Sequence, residues 1–132
     1  MRTIETHKVN PCNDKLTIEV LDEPGVGNAC HHYGVSGFHT KGNPSADSSC
    51  DDDTMYHLLF QNGPICEVGT NGITQEALLA ILIDRLEGFQ SGEYACDENA
   101  QAIVKLREAA MWLHSRTKRR MALGVEGTHR HD

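Results

Sequence analysis

The chain has 132 residues, 39% of them hydrophobic, and a formal charge of −7; that suffices for one domain with a real core. The charge is polarised, with five Lys/Arg against sixteen Asp/Glu in residues 1–104 and seven against three in residues 105–132. An acidic chain makes a poor general duplex DNA binder, because duplex affinity comes mostly from neutralising phosphates. No apolar run approaches the ~20 residues of a membrane span. The five cysteines are odd in number and scattered, and no apolar run follows the first residues. Free thiols in a reducing cytoplasm therefore fit better than a disulfide framework.

Residues 1–14 read as a loose arm. From Lys15 to Asp22, Leu16, Ile18 and Val20 alternate with Thr17 and Glu19, the pattern of a half-buried strand. The run Pro24 to Asn28 breaks it, and His31 to Phe38 forms a second strand with Tyr33 and Val35 on one side. Residues 39–54 are polar and turn-rich and read as a mobile surface loop. A third strand, Met55 to Gln61, places Tyr56, Leu58 and Phe60 on one face. Asn62-Gly63 then predicts a tight hairpin turn, with Ile65 to Val68 pairing back as an edge strand after Pro64.

Thr74 is a suitable N-cap for a first long helix, with Glu76 against the helix dipole. Its run Ala77 to Ile83 is apolar nearly all round, so this helix is expected to be buried by the sheet and by a neighbouring chain, which predicts a homo-oligomer built on the hairpin. Leu86 and Phe89 continue the stripe and Gly92 ends it. Asp97 and Glu98 open a second helix, which runs to about Leu123 and stops at Gly124. The short link makes the two helices an antiparallel hairpin. The fold class is thus α+β in a single domain. A small antiparallel sheet (residues 15–72) precedes the hairpin (74–123) and a polar tail (124–132).

One local feature stands out chemically. Arg116, Lys118, Arg119 and Arg120 crowd the end of the second helix, and Trp112 lies one turn before them. Guanidinium forks hold phosphate bidentately and an indole offers a stacking surface, so the group suits a small anionic nucleotide ligand. Arg116, Arg119 and Arg120 are the expected phosphate contacts, Trp112 or Tyr94 the stacking residue, and Thr128 with His129 a closing segment. The plainer alternative stays open: cations in a last turn also stabilise the helix dipole, and Trp112 could be core. Neither Cys30-His31-His32 nor His129-Arg130-His131 has the spacing of a structural zinc site, and adjacent strand residues face opposite ways. No metal or cofactor is expected. With no G-x-S-x-G, H-E-x-x-H, P-loop or Rossmann pattern, no enzyme is expected either.

The segments NPCNDKLTIEVLDEPGVGNACHHYGVSGF, LLFQNGPICEVGTNGIT, ALLAILIDRLEGFQSGEYAC and WLHSRTKRRMALGVEGTH resemble a family of small tailed-phage proteins of unassigned function. The likeness runs from about Asn10 to His129. Members are sometimes labelled ABC transporter ATPases, a label that a chain without a Walker motif does not support. A looser, architectural resemblance links the sheet and helical hairpin to phage sponge proteins that counter Thoeris and CBASS defence. That resemblance implies an oligomer that sequesters a cyclic nucleotide or cyclic ADP-ribose signal without cleaving it. It transfers no binding residue, because no ligand motif matches position by position. The competing expectation, from a different class, is a non-catalytic adaptor or inhibitor that binds a host or phage protein.

Overall fold

The computed structural model describes residues 1–50 and 55–128. They form two compact units, Met1–Phe60 and Gln61–Asp132. The first is a four-stranded antiparallel sheet in the order β1 (Arg2–Ile4), β2 (Thr17–Val20), β3 (His32–Ser36) and β4 (Met55–Leu59). The second carries a short helix and the helical hairpin, so the α+β class stands.

The alternation read in the sequence sets the two faces of the sheet. Arg2, Val20, Tyr33 and Leu58 lie opposite one another across four strands, as do Ile4, Ile18, Val35 and Tyr56. Side chains paired in this way share a face, and Val20 at its centre is fully buried. The Tyr33 ring meets Phe60 edge-on at 5.7 Å. Thr17, Glu19, His32, Gly34, Ser36 and His57 belong to the opposite face.

The expected loose arm is instead part of this unit. Arg2–Ile4 supplies an edge strand, and Asn10 caps a helical turn, α1 (Pro11–Asp14). His7 Nε2 lies 2.6 Å from the Leu16 carbonyl; a carbonyl only accepts, so the imidazole donates. At Gly37 (φ +95°) a Cβ would collide with the Lys15 carbonyl oxygen, so the backbone crossing there requires glycine. Within the loop predicted over residues 39–54, Thr40–Gly42 is a 3₁₀ turn, and the Asp47 carboxylate accepts from the Ser49 N–H at 2.8 Å. Residues 51–54 lie outside the described residues.

The turn Asn62-Gly63 does not make a hairpin. Gly63 has φ +100°, but Asn62 is not in the left-handed region that a type I′ turn requires of both residues. Ile65–Val68 is a short helix, α2, started by Pro64 at φ −71°. Side-chain amides take the place of a strand partner here. Asn71 Oδ1 accepts from the Asn62 N–H at 2.9 Å and its Nδ2 donates to the Asn62 carbonyl at 2.8 Å. Gln61 Oε1 accepts from the Asn71 N–H at 2.9 Å. With those groups satisfied locally, no further ladder is needed.

Helix α3 (Gln75–Gln90) begins as expected, with Thr74 Oγ1 accepting from the Ala77 N–H at 3.1 Å. Its C-cap is Ser91 rather than Gly92. Helix α4 (Asp97–Ala122) follows a link of only six residues, 91–96, and packs back along α3. Both polar groups of the Gln90 side chain clasp the Cys96 backbone, at 2.9 and 3.1 Å. The buried side of the pair is narrower than the sequence suggests. Leu79, Ile83 and Leu86 of α3 are half-buried, no α3 residue is fully buried, and Ile81 remains 61% exposed. Among the described residues, no helix is long and apolar enough to cross a membrane.

Asp22 organises the β2–β3 connection. Its carboxylate accepts from the backbone N–H of His31 at 3.0 Å and of His32 at 3.2 Å. The His31 bond first, and His32 after it, hold this carboxyl below its ordinary 3.8, against a smaller desolvation cost. A depressed folded value stabilises the fold above 3.8, and that contribution disappears as pH falls through the lower folded value. Asp22→Asn should therefore melt below the wild type at neutral pH, with the gap closing on acidification below 3.8. Paired thermal melts across that range check this; a gap independent of pH would contradict it.

Candidate functional site

The basic end of α4 is built by helix geometry. Trp112, Arg116 and Arg119 follow one another at steps of four and three, so their side chains leave the helix on one face. All three are exposed, Trp112 to 63%. The plainer reading of Trp112 as a core residue does not hold in this chain. Arg119 and Arg120 occupy the last turn, where positive charge is favoured by the helix dipole.

Arg120 points elsewhere. It is only 6% exposed, and it binds the chain's own C-terminal segment. Nη2 donates to the Val125 carbonyl at 2.9 Å and to the Thr128 carbonyl at 3.3 Å, while Nε lies 3.2 Å from Glu126 Oε2. Local backbone geometry brings these acceptors into reach. Gly124 adopts φ +72°, the Gly124 N–H donates to the Met121 carbonyl, and the Val125 N–H donates to the Arg120 carbonyl. That pair of bonds is a Schellman closure, which needs a left-handed residue at Gly124. Val125 is thereby fully buried, and Cys66 Sγ, just within α2, reaches the Gly127 carbonyl at 3.3 Å. Thr128 belongs to this lock, with its hydroxyl donating to the Val125 carbonyl.

The expected residues therefore separate into groups. Trp112, Arg116 and Arg119 share the exposed face, whereas Arg120 and Thr128 meet each other in the lock beneath it. Arg120, expected to contact phosphate, is enclosed by Val125, Glu126 and Thr128 in this chain. Tyr94 stands in the α3–α4 link, 71% exposed and edge-on to Phe89 at 6.5 Å. Eighteen residues separate it from Trp112 along a helical rise, on the order of 25 Å. One copy of the chain cannot bring both rings to one small ligand. His129 lies outside the described residues.

A neighbouring face of α4 adds what the sequence reading missed. Arg107, Ala110, Met111, His114, Ser115 and Lys118 line an open groove of about 440 Å³. The spacing 107, 111, 114, 118 is a helical stripe legible in the sequence, and it overlaps the denser cluster at 116–120 in Lys118. Arg107 also pairs with Glu87 of α3 at 2.8 Å, an exposed contact of small energetic weight. The polar groups of the two faces are chiefly cations and hydrogen-bond donors, which suit an anion. Among the described residues, no three His, Cys, Asp or Glu side chains converge as a metal cluster.

Comparison with known proteins bears on this same region. Residues 55–118 match the family model of the Acb2/Tad1 hairpin domain. A 70-residue stretch is 56% identical to Thoeris anti-defense 1 of Bacillus phage SBSphiJ7, covering 53% of this chain and 49% of the relative. The match thus spans about half the length of that relative. Of the two resemblances drawn from sequence, the comparisons support the one to anti-Thoeris proteins.

The lock makes a stability prediction. Arg120→Ala leaves the Val125 and Thr128 carbonyls short of a donor and Glu126 without its cation. Glu126 is partly exposed and can rehydrate, so the expected loss is that of a charge-assisted hydrogen bond or two, ~2–3 kcal/mol. Chemical denaturation of the variant measures it. A loss within ~0.5 kcal/mol, the size of an ordinary surface substitution, would show that the lock carries little.

Proposed function

We propose that this protein is a phage anti-defence sponge. It binds a bacterial immune nucleotide messenger, of cyclic oligonucleotide or cyclic ADP-ribose type, and withholds it without cleaving it. The observation that carries this reading is the 56% identity to Thoeris anti-defense 1, together with the hairpin match over residues 55–118. The cationic faces of α4 support it independently, since a messenger of this class presents phosphates and flat bases. Arg116 and Arg119 hold phosphate, Trp112 stacks on a base, and Arg120 keeps the helix end and residues 125–128 in place beneath them. The relative is itself phage-encoded.

Calorimetric titration with cyclic di- and trinucleotides and cyclic ADP-ribose isomers tests the reading, followed by heat denaturation and recovery of the ligand. Reversible binding with intact ligand recovered is expected. Arg116→Ala and Arg119→Ala should each weaken binding about ten- to a hundredfold, the equivalent of ~1.5–3 kcal/mol for a charge-assisted bond. Cleaved ligand would make the protein an enzyme, and absence of binding across the panel would remove the sponge reading.

The sponge is a homo-oligomer assembled through the hairpin. Ile81 and Leu82 on α3, and Val104, Met111 and Met121 on α4, are exposed apolar side chains in a unit with few buried ones. Covering them would add the burial that the single chain lacks, and a second copy could also bring Tyr94 toward another chain's Trp112. Sedimentation at micromolar concentration should report at least a dimer. A 14.6 kDa monomer that instead acquires a host protein from the cell would favour the adaptor reading, which the same apolar side chains would serve.

A further inference from the structure

The sheet unit brings together two histidines that lie 25 residues apart in the chain. In the β3–β4 register His32 faces Leu59 and His57 faces Gly34, which makes the two imidazoles diagonal neighbours on one face. His32 Nε2 and His57 Nδ1 are 2.9 Å apart, with ring centroids at 5.1 Å and planes tilted by 36°. His57 is exposed and His32 half-buried. Gly34, between them in the register, presents no side chain of its own.

We propose that His32 and His57 form a surface site for a borderline divalent transition ion, of which Ni²⁺, Cu²⁺ and Zn²⁺ are the representatives. Metal–imidazole bonds are about 2.0–2.1 Å long, so two nitrogens in adjacent positions at 90° stand about 2.9 Å apart, and in a tetrahedron about 3.3 Å. The observed separation equals the first spacing and needs an opening of a few tenths of an ångström for the second; in either case both rings turn about their side-chain bonds, so that lone pairs now aimed along the hydrogen bond converge on the ion. Proton balance is simple. In the ion-free pair one nitrogen donates to the other; on binding, both proximal nitrogens offer lone pairs and each neutral ring carries its proton on its distal nitrogen. Exchange with water relocates that proton, and none is lost.

Charge favours a cation at this place. The sheet unit, residues 1–60, carries four Lys/Arg and nine Asp/Glu. Glu19 lies on the same cross-strand row as Gly34 and His57. It contributes negative potential and not a third ligand, since no three-donor cluster exists among the described residues. Water completes the coordination, and the ion clamps β3 to β4.

The test uses the full chain, reduced and stripped with chelator, titrated calorimetrically with Ni²⁺, which also broadens nearby resonances in NMR spectra. His32→Gln and His57→Gln keep hydrogen-bonding capacity, so circular dichroism should match the wild type. Each should weaken the same Ni²⁺ site at least tenfold, since even ligand-supporting partners are worth that much. His114→Gln on α4 should leave it intact. Broadening should centre on residues of β3 and β4. Loss in only one of the two sheet variants, or in neither, overturns the shared site, as does broadening centred elsewhere.

Discussion

Arg120 carries the organisation of the candidate site. A guanidinium cannot shed its charge, so burying it demands acceptors. The chain supplies them from three residues that follow the helix within one tight reversal: Val125, Glu126 and Thr128. That reversal depends on Gly124, and the burial of Val125 depends on the reversal. The end of α4 is therefore a closed structure and not a fraying terminus.

Separating four cations into one buried and three exposed resolves a tension in the sequence. Four positive charges in five residues repel one another, and helix-end stabilisation alone gives little return for that crowding. The structure turns Arg120 inward onto Glu126, while Arg116 and Arg119 project beside Trp112. The groove along Arg107, His114 and Lys118 extends cationic surface along a further face of the same helix. Preorganised donors lose less freedom on capturing a ligand than mobile ones, which suits the proposed sponge.

The sheet unit follows a comparable economy. Asp22 accepts two backbone N–H groups at the start of β3, and Gly37 lets the chain cross close to Lys15. Two local devices thus fix the register of β3 against β2, and β4 pairs along the other edge of β3. Those registers in turn bring His32 beside His57.

Much of this was legible in the sequence, for local reasons. Period-two alternation placed the strands around Ile18, Tyr33 and Leu58 and the face each presents. Thr74 marked the start of α3, and Gly124 the end of α4, because capping depends only on neighbours a few residues away. The basic turn was equally plain. What the tertiary structure decided were the outcomes of competition between partners distant in sequence. Arg2–Ile4 is short and has little pattern of its own, and it becomes a strand because β2 offers an unpaired edge. Asn62-Gly63 carries the strongest hairpin signal in the chain, yet Asn71 and Gln61 satisfy its backbone first, and Ile65–Val68 coils into a helix. The four cations look alike in sequence, and only the path of residues 125–128 selects Arg120 for burial. Local propensity is written in adjacent residues, whereas burial and pairing depend on which groups the fold brings within hydrogen-bonding reach.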